Sequence, residues 1–142
     1  MREEVRRMPR RIVLAEDDPG IRKMTKLRLE HEGFTVLAAA DGESALRAVM
    51  PGRVDLIVLD VKMPKLDGFQ VCARLKANPA TAKIPIIIFT ASTGQARHLA
   101  DRCLELGVTN WLQKPFRSSE LLEKIHRALD ARDAASEGGR DG

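Results

Sequence analysis

The stretch Val54-Asp55-Leu56-Ile57-Val58-Leu59-Asp60-Val61-Lys62-Met63-Pro64 decides the fold of this 142-residue chain. Its aliphatic run is typical of a strand that is buried on both faces in the middle of a parallel sheet. The run ends at Asp60, where such a strand reaches the carboxyl edge of the sheet, and open α/β sheets bind their ligands at that edge. Asp60 is therefore the first candidate functional residue, although an acid in this position also suits a turn or a helix cap.

Composition indicates one globular domain. The chain is 44% apolar and 31% charged, and no apolar run approaches the ~20 residues that a membrane span needs. The N-terminus has arginines and glutamates but no apolar segment, which excludes a secretory signal, so we expect a cytoplasmic location and no membrane contact. A net charge of +4 with one Trp and no Tyr is weak support for nucleic-acid binding, and we expect none. Cys72 and Cys103 are too few for a disulfide framework or a zinc site.

Apolar runs alternate with helical patterns along the chain. We predict five strands, at about 12–15, 34–40, 54–60, 84–90 and 108–113, each followed by a helix. Asp18 is predicted to cap the first helix, which carries Ile21, Met24 and Leu27 on one face. Five strands alternating with five helices predict a single parallel sheet covered on both faces, with all strand ends at one edge.

That edge should collect polar side chains from four strands, namely Glu16 and Asp17, Asp60, Thr90, and Lys114. Three carboxylates in one crevice repel each other unless a cation lies among them, and Mg²⁺ suits such an all-oxygen site. A neighbouring cation keeps Asp60 ionised and available as a nucleophile. The metal and Lys114 could neutralise a phosphoryl group from two sides, while Thr90 offers a hydroxyl donor. The residues therefore suggest that an aspartyl phosphate forms and breaks down on Asp60.

These residues resemble the receiver domain of two-component response regulators, the CheY-like family. The shared motifs are Glu16-Asp17-Asp18-Pro19, Asp60 with Met63-Pro64 and Asp67-Gly68, Thr90-Ala91, and Lys114-Pro115-Phe116. The resemblance covers residues 11–131, between a basic N-terminal tail at 1–10 and a C-terminal tail at 132–142 that we expect to be disordered. It implies a flavodoxin-like (βα)5 three-layer sandwich whose parallel five-stranded sheet has the order 2-1-3-4-5.

The resemblance also implies roles for the site residues. Asp60 would be the phosphoacceptor, and Asp17 and Asp60 would bind Mg²⁺ together with the backbone carbonyl of Lys62. Glu16 would act through a metal-bound water. Thr90 and Lys114 would contact the phosphoryl oxygens, and the peptide bond between Lys114 and the following proline would be cis.

The resemblance further implies how the protein would signal. A sensor histidine kinase or a phosphotransfer protein would supply the phosphoryl group, and the chain would catalyse only its own phosphorylation and autodephosphorylation. Thr90 and Trp111 would then shift so that the face formed by the fourth helix, fifth strand and fifth helix changes its affinity for a downstream protein. We expect a monomer or a phosphorylation-dependent homodimer.

Some positions depart from the commonest family pattern. Glu16 stands where Asp is more usual, which should alter the outer shell of the metal. Trp111 replaces the usual Tyr or Phe, and its larger indole should crowd the inward rotamer. We expect Lys62 to slow attack by water on the aspartyl phosphate, so that Lys62→Ala would lose phosphate faster, and Ser92 to tune the same lifetime.

Other functions stay open at this point. The chain could be a pseudo-receiver that binds partners without phosphorylation, or the receiver fragment of a longer regulator. A phosphohydrolase would need a second Asp two residues after the nucleophile, where Lys62 stands. A dinucleotide-binding domain is disfavoured because Glu16-Asp17-Asp18, rather than a glycine-rich loop, follows the first strand.

Overall fold

The computed structural model describes residues 9–50, 53–91, 96–108, 110–114 and 116–140. In this part of the chain five strands alternate with five helices. The strands are β1 (Arg11–Ala15), β2 (Thr35–Ala39), β3 (Leu56–Asp60), β4 (Ile86–Ala91) and β5 (Asn110–Lys114). The helices are α1 (Pro19–His31), α2 (Gly42–Val49), α3 (Gly68–Ala77), α4 (Ala96–Glu105) and α5 (Ser118–Arg140).

All five strands form one parallel sheet in the order β2-β1-β3-β4-β5. The central strand β3 is buried at every position, as its aliphatic sequence requires when both faces are covered. The predicted flavodoxin-like fold and its strand order are confirmed.

Two hydrophobic clusters lie on the two faces of the sheet. Alternate strand residues such as Ile57 and Leu59 pack with residues of α2, α3 and α4, including the buried free cysteines Cys72 and Cys103. The intervening strand residues, such as Val58, pack with α1 and α5. The period of two along each strand thus separates the two cores and gives three layers.

Aspartates begin the first three helices by accepting hydrogen bonds from backbone amides that lack a partner within the helix. Asp18 accepts from the Ile21 amide at 3.0 Å, as predicted. Asp41 accepts from the Ser44 amide at 2.8 Å at the start of α2. Each cap fixes where the chain turns from the carboxyl edge of the sheet into a helix.

The apolar stripe of α1 is exposed. Ile21, Met24 and Leu27 are 38%, 74% and 56% exposed, and Leu29 is the only fully buried residue of this helix. The packing of α1 therefore leaves an apolar face at the surface beside the carboxyl edge of the sheet.

The C-terminal boundary differs from the prediction, because α5 continues to Arg140 where we expected a disordered tail from residue 132. Arg132 donates to the backbone carbonyl of Asp55 at 2.9 Å and to its carboxylate at 3.1 Å. Asp133 accepts a 2.6 Å hydrogen bond from Arg10. A buried carboxylate must be paired, and Asp55 at the amino end of the sheet is paired by this extension of the helix.

Several predictions fall on residues outside the described ranges. These residues are 1–8 of the N-terminal tail, Ser92, the proline of the expected cis bond, Pro115, and 141–142. Within the described ranges, none of the helices combines the length and apolarity that crossing a bilayer requires.

Candidate functional site

Three predicted site residues meet at the carboxyl edge of the sheet. Glu16 directly follows β1, Asp60 is the last residue of β3, and Lys114 is the last residue of β5. Parallel strands end at the same edge, and the order β1-β3-β4-β5 places β3 beside β1 and β5 two strands from β3. The side chains of Glu16 and Asp60 are almost completely buried, with 1% and 3% of each residue exposed.

The carboxylates of Glu16, Asp17 and Asp60 form a cluster. Each offers one oxygen atom, and these three oxygens lie within 4.8 Å of one another. Asp17 is exposed, so the cluster opens to solvent on one side. An all-oxygen donor set of this spacing fits a hard cation such as Mg²⁺, which keeps several waters and uses few protein ligands.

Lys114 contacts two of the three carboxylates in the cluster. Its Nζ atom lies 2.8 Å from Glu16 Oε2 and 3.3 Å from Asp60 Oδ2, and 4.8 Å from the ring centre of Phe89. Burial alone would lower the pKa of Lys114, but the hydrogen bond to Glu16 and the charges of the two carboxylates outweigh it and raise the pKa. Lys114 therefore stays cationic next to the candidate phosphoacceptor.

Glu16 has an unusual protonation equilibrium. Burial raises the pKa of its carboxyl group from 4.5 to about 7, although hydrogen bonds from Lys114 and from the Asp18 amide lower it. The Asp18 amide donates to Glu16 Oε1 at 3.1 Å. A cation bound among the three carboxylates would favour the ionised form of Glu16.

Asp60 is held by its own loop. Its Oδ1 atom accepts a 3.3 Å hydrogen bond from the backbone amide of Lys62, whose side chain is exposed. Gly68 packs directly on the backbone of Asp60, since a Cβ atom built on Gly68 would lie 2.4 Å from the Asp60 carbonyl oxygen. In the sequence Gly68 was singled out only as part of the Asp67-Gly68 motif, and its close approach to Asp60 appears only in the folded structure.

Arg22 is a second residue that sequence analysis missed. Its Nη1 atom donates to the backbone carbonyls of Glu16 at 2.8 Å and of Asp17 at 3.3 Å. Arg22 is the fourth residue of α1, where a cation is unfavourable because the helix dipole is positive at that end. That local disagreement with helix electrostatics was a signal in the sequence that Arg22 has another role.

Two other predicted site residues, Thr90 and Trp111, lie on the strands β4 and β5. The backbone of Thr90 lies near the end of β4, opposite Gln113 of β5. Trp111 lies in β5 opposite Ile88, is partly buried and packs against the cluster formed with α2, α3 and α4. The proposed roles of Thr90, Trp111, Ser92 and the Lys62 carbonyl remain predictions.

An apolar groove adjoins the site. It has a volume of about 850 Å³, lies between the exposed face of α1 and the start of α5, and includes Lys114 in its wall. Apolar lining comes from Ile21, Met24, Leu27, Phe116 and Leu121. The ring of Phe116 packs edge-on against Phe89 at 5.7 Å, and Phe89 also lies beneath Lys114. Lys114 therefore borders both the groove and the acidic cluster.

Comparisons with known proteins agree with this arrangement. Residues 12–126 match the family described as the response regulator receiver domain. The response regulator MprA of a Mycobacterium species (strain KMS) is 37% identical over 131 residues, which are 92% of this chain and 55% of MprA. The DNA-binding dual master transcriptional regulator RpaA of a Synechocystis species is 36% identical over 126 residues, which are 89% of this chain and 51% of RpaA.

A solved structure shows the same fold. The CheY-like response regulator receiver domain protein from Methanospirillum hungatei superimposes with a TM-score of 0.81 at 26% identity, over 90% of this chain and 99% of that one. The chain spans about half the length of the curated relatives that it matches. By sequence, fold and the placement of its acidic residues, this chain belongs to the response regulator receiver domain family of two-component systems.

Proposed function

We propose that this receiver domain is a switch in which Asp60 accepts a phosphoryl group in a Mg²⁺-dependent reaction. One observation carries the proposal. Carboxylate oxygens of Glu16, Asp17 and Asp60 lie within 4.8 Å of one another, and Lys114 Nζ lies 3.3 Å from Asp60. A carboxylate nucleophile between a cation site and a fixed ammonium group is suited to phosphoryl transfer.

In the proposed reaction an Asp60 carboxylate oxygen bonds to phosphorus while the bond between phosphorus and the donor nitrogen or oxygen breaks. Lys114 then contacts a phosphoryl oxygen instead of sharing its protons between two carboxylates. Glu16, Asp17, Asp60 and the Lys62 carbonyl would hold Mg²⁺, with Glu16 acting through a water. When bound, Mg²⁺ supplies positive charge that offsets the phosphoryl oxygens. Later attack by water on phosphorus releases inorganic phosphate and restores the Asp60 carboxylate.

The phosphodonor would be a protein, a histidine kinase or a phosphotransfer protein. Support comes from the apolar groove, because exposed large apolar side chains next to a reactive site are typical of protein contact surfaces. Met24 and Leu27 are 74% and 56% exposed on this surface. A helical partner that covers them would bring a phosphohistidine close to Lys114 and Asp60.

The face formed by α4, β5 and α5 would bind the downstream target. Thr90 and Trp111 would shift after phosphorylation and so change the affinity of this face. The target would be a protein, and the receiver a monomer or a phosphorylation-dependent homodimer. RpaA is described as DNA-binding, so the expected absence of nucleic-acid contact is still a prediction for this chain. The same proposal includes a cytoplasmic location. The protein would catalyse only its own phosphorylation and autodephosphorylation.

The proposal can be tested with a small-molecule phosphodonor. Wild-type protein incubated with acetyl phosphate and Mg²⁺ should gain the mass of one phosphoryl group, and Asp60→Asn should gain none. Asp67→Asn is a matched control, because Asp67 also follows β3 but caps α3. The fluorescence of Trp111 should respond to Mg²⁺ and beryllofluoride in wild type and not in Asp60→Asn. Wild-type protein that takes up no phosphoryl group with Mg²⁺ present would favour the interaction-only pseudo-receiver instead.

A further inference from the structure

We infer that Arg22 is a positioning residue that fixes the acidic loop in its cation-binding shape. This inference rests on the proposed Mg²⁺ site. The loop in question is the segment between β1 and α1 that carries Glu16 and Asp17. Arg22 is half-buried beside it and donates to two consecutive carbonyl oxygens, at 2.8 Å from Glu16 and 3.3 Å from Asp17.

These two hydrogen bonds set the orientation of the peptide groups in the loop. With both carbonyls directed at one guanidinium group, the peptide planes that follow Glu16 and Asp17 cannot rotate independently. Rotation of either plane would break a charge-assisted hydrogen bond, which is among the stronger kinds in proteins. The rotation would also move the attached carboxylates, which now lie within 4.8 Å of the Asp60 carboxylate.

Other contacts hold the same loop only in part. The Glu16 amide donates to the Ala39 carbonyl at 3.0 Å, and the Asp18 amide donates to Glu16 Oε1 at 3.1 Å. The first contact continues the pairing of β1 with β2, and the second depends on the Glu16 side chain itself. Among the contacts described for this loop, the 3.3 Å hydrogen bond from Arg22 is the one that fixes the Asp17 carbonyl.

The charge of Arg22 makes the inference testable, because two explanations predict opposite results. If Arg22 acted only as a nearby positive charge, its removal would strengthen the binding of a divalent cation. If Arg22 positions the loop, its removal should weaken cation binding despite the loss of a repulsive charge. Loss of a group that orients metal ligands typically costs 10- to 100-fold in metal affinity.

The experiment is a titration of the full chain with MgCl₂. Binding is monitored through the chemical shifts of the backbone amides of residues 16–18. We expect Arg22→Ala to bind Mg²⁺ about tenfold more weakly than wild type. Arg22→Lys keeps the charge and one donor and should bind with intermediate affinity. Arg28→Ala is the matched control, because Arg28 lies on the same helix with 49% of its side chain exposed, and among the residues that the structure describes its ion pair is with Glu32 at 3.7 Å. Arg28→Ala should bind Mg²⁺ as wild type does.

A second measurement does not involve the metal. In metal-free protein the amide of Asp18 should exchange with solvent faster in Arg22→Ala than in wild type, since the loop loses its fixed carbonyls. Equal or tighter Mg²⁺ binding by Arg22→Ala would overturn the inference. If Arg22→Ala does not fold, Arg22→Lys decides, because an affinity equal to that of wild type would support charge alone.

The failure of this inference is distinct from failure of the proposed function. Unchanged Mg²⁺ affinity in Arg22→Ala, with wild-type phosphorylation of Asp60, would refute only the positioning role. A wild-type protein that binds no Mg²⁺ and takes up no phosphoryl group would refute the proposed function as well.

Discussion

The buried carboxyl group of Glu16 should make the stability of the metal-free protein fall as pH rises. Only 1% of Glu16 is exposed, and burial raises its pKa from 4.5 to about 7 despite its hydrogen bond with Lys114. A group with a raised pKa in the folded state binds its proton more tightly there than in the unfolded chain. Its contribution to stability is therefore complete below pH 4.5, is lost progressively up to about pH 7, and changes little above that.

The size of the effect follows from the same difference in pKa. A rise from 4.5 to about 7 corresponds to a loss of up to about 3 kcal/mol in the free energy of unfolding across this range. Lys114 does not contribute to this loss, because its pKa is raised above 10.5 and its stabilising charge is retained until the solution is more alkaline. Glu16→Gln has no proton to lose, so this part of the pH dependence should disappear.

Urea unfolding in a chelating buffer, from about pH 4.5 to about pH 8, measures the effect as a shift in free energy. Glu43→Gln is a suitable control, because it removes a carboxylate that is 51% exposed at the start of α2. The control should follow the wild-type profile. Adding Mg²⁺ near the upper end of the range should restore much of the wild-type stability, since the cation favours ionised Glu16. Parallel profiles for wild type and Glu16→Gln in the absence of metal would refute the reasoning.

Three further substitutions test the structure around the site. Gly68→Ala should destabilise the fold by about 1–3 kcal/mol and slow phosphorylation, because the added carbon would lie 2.4 Å from the Asp60 carbonyl oxygen. Urea unfolding and phosphoprotein yield measure this, and a variant equal to wild type would contradict it. Lys65→Gly should stabilise by about 1 kcal/mol, because Lys65 has a φ of 71°, a conformation that L-residues adopt at a cost. A lower melting temperature for Lys65→Gly would show that its exposed ion pairs matter more than this strain. Asp55→Ala should destabilise the fold by about 1–3 kcal/mol, because it removes the acceptor of the Arg11 amide, at 2.8 Å, and the partner of Arg132. A double-mutant cycle with Arg132→Ala should show strong coupling, and additive effects would argue against that pairing.

Much of the fold could be predicted because strands and strand ends are local features of the sequence. The run from Leu56 to Leu59 is aliphatic at every position, which only a strand covered on both faces satisfies. Once five such strands are parallel, their carboxyl ends share one edge. The neighbourhood of Glu16, Asp60 and Lys114 then follows from topology without knowledge of any side-chain position.

Other features depend on neighbours that are distant in sequence. The period of α1 showed that Ile21, Met24 and Leu27 share a face, but only the folded structure shows that this face stays exposed. The length of α5 was underestimated because residues after Leu129 have little apolar surface. Pairing of Arg132 with buried Asp55, 77 residues away, provides a contact that local composition does not reveal.

The sequence by itself determined the parallel sheet, its strand order through family resemblance, and the group of acids and lysine at one edge, because periodicity and chain order are sufficient for these. Only the tertiary structure decided which contacts set the positions and the protonation of these acids. The guanidinium of Arg22 on two loop carbonyls, the contact of Gly68 with the Asp60 backbone, and the burial that raises the pKa of Glu16 all depend on distances of a few ångströms. Such distances are set by packing between segments that are remote in the sequence.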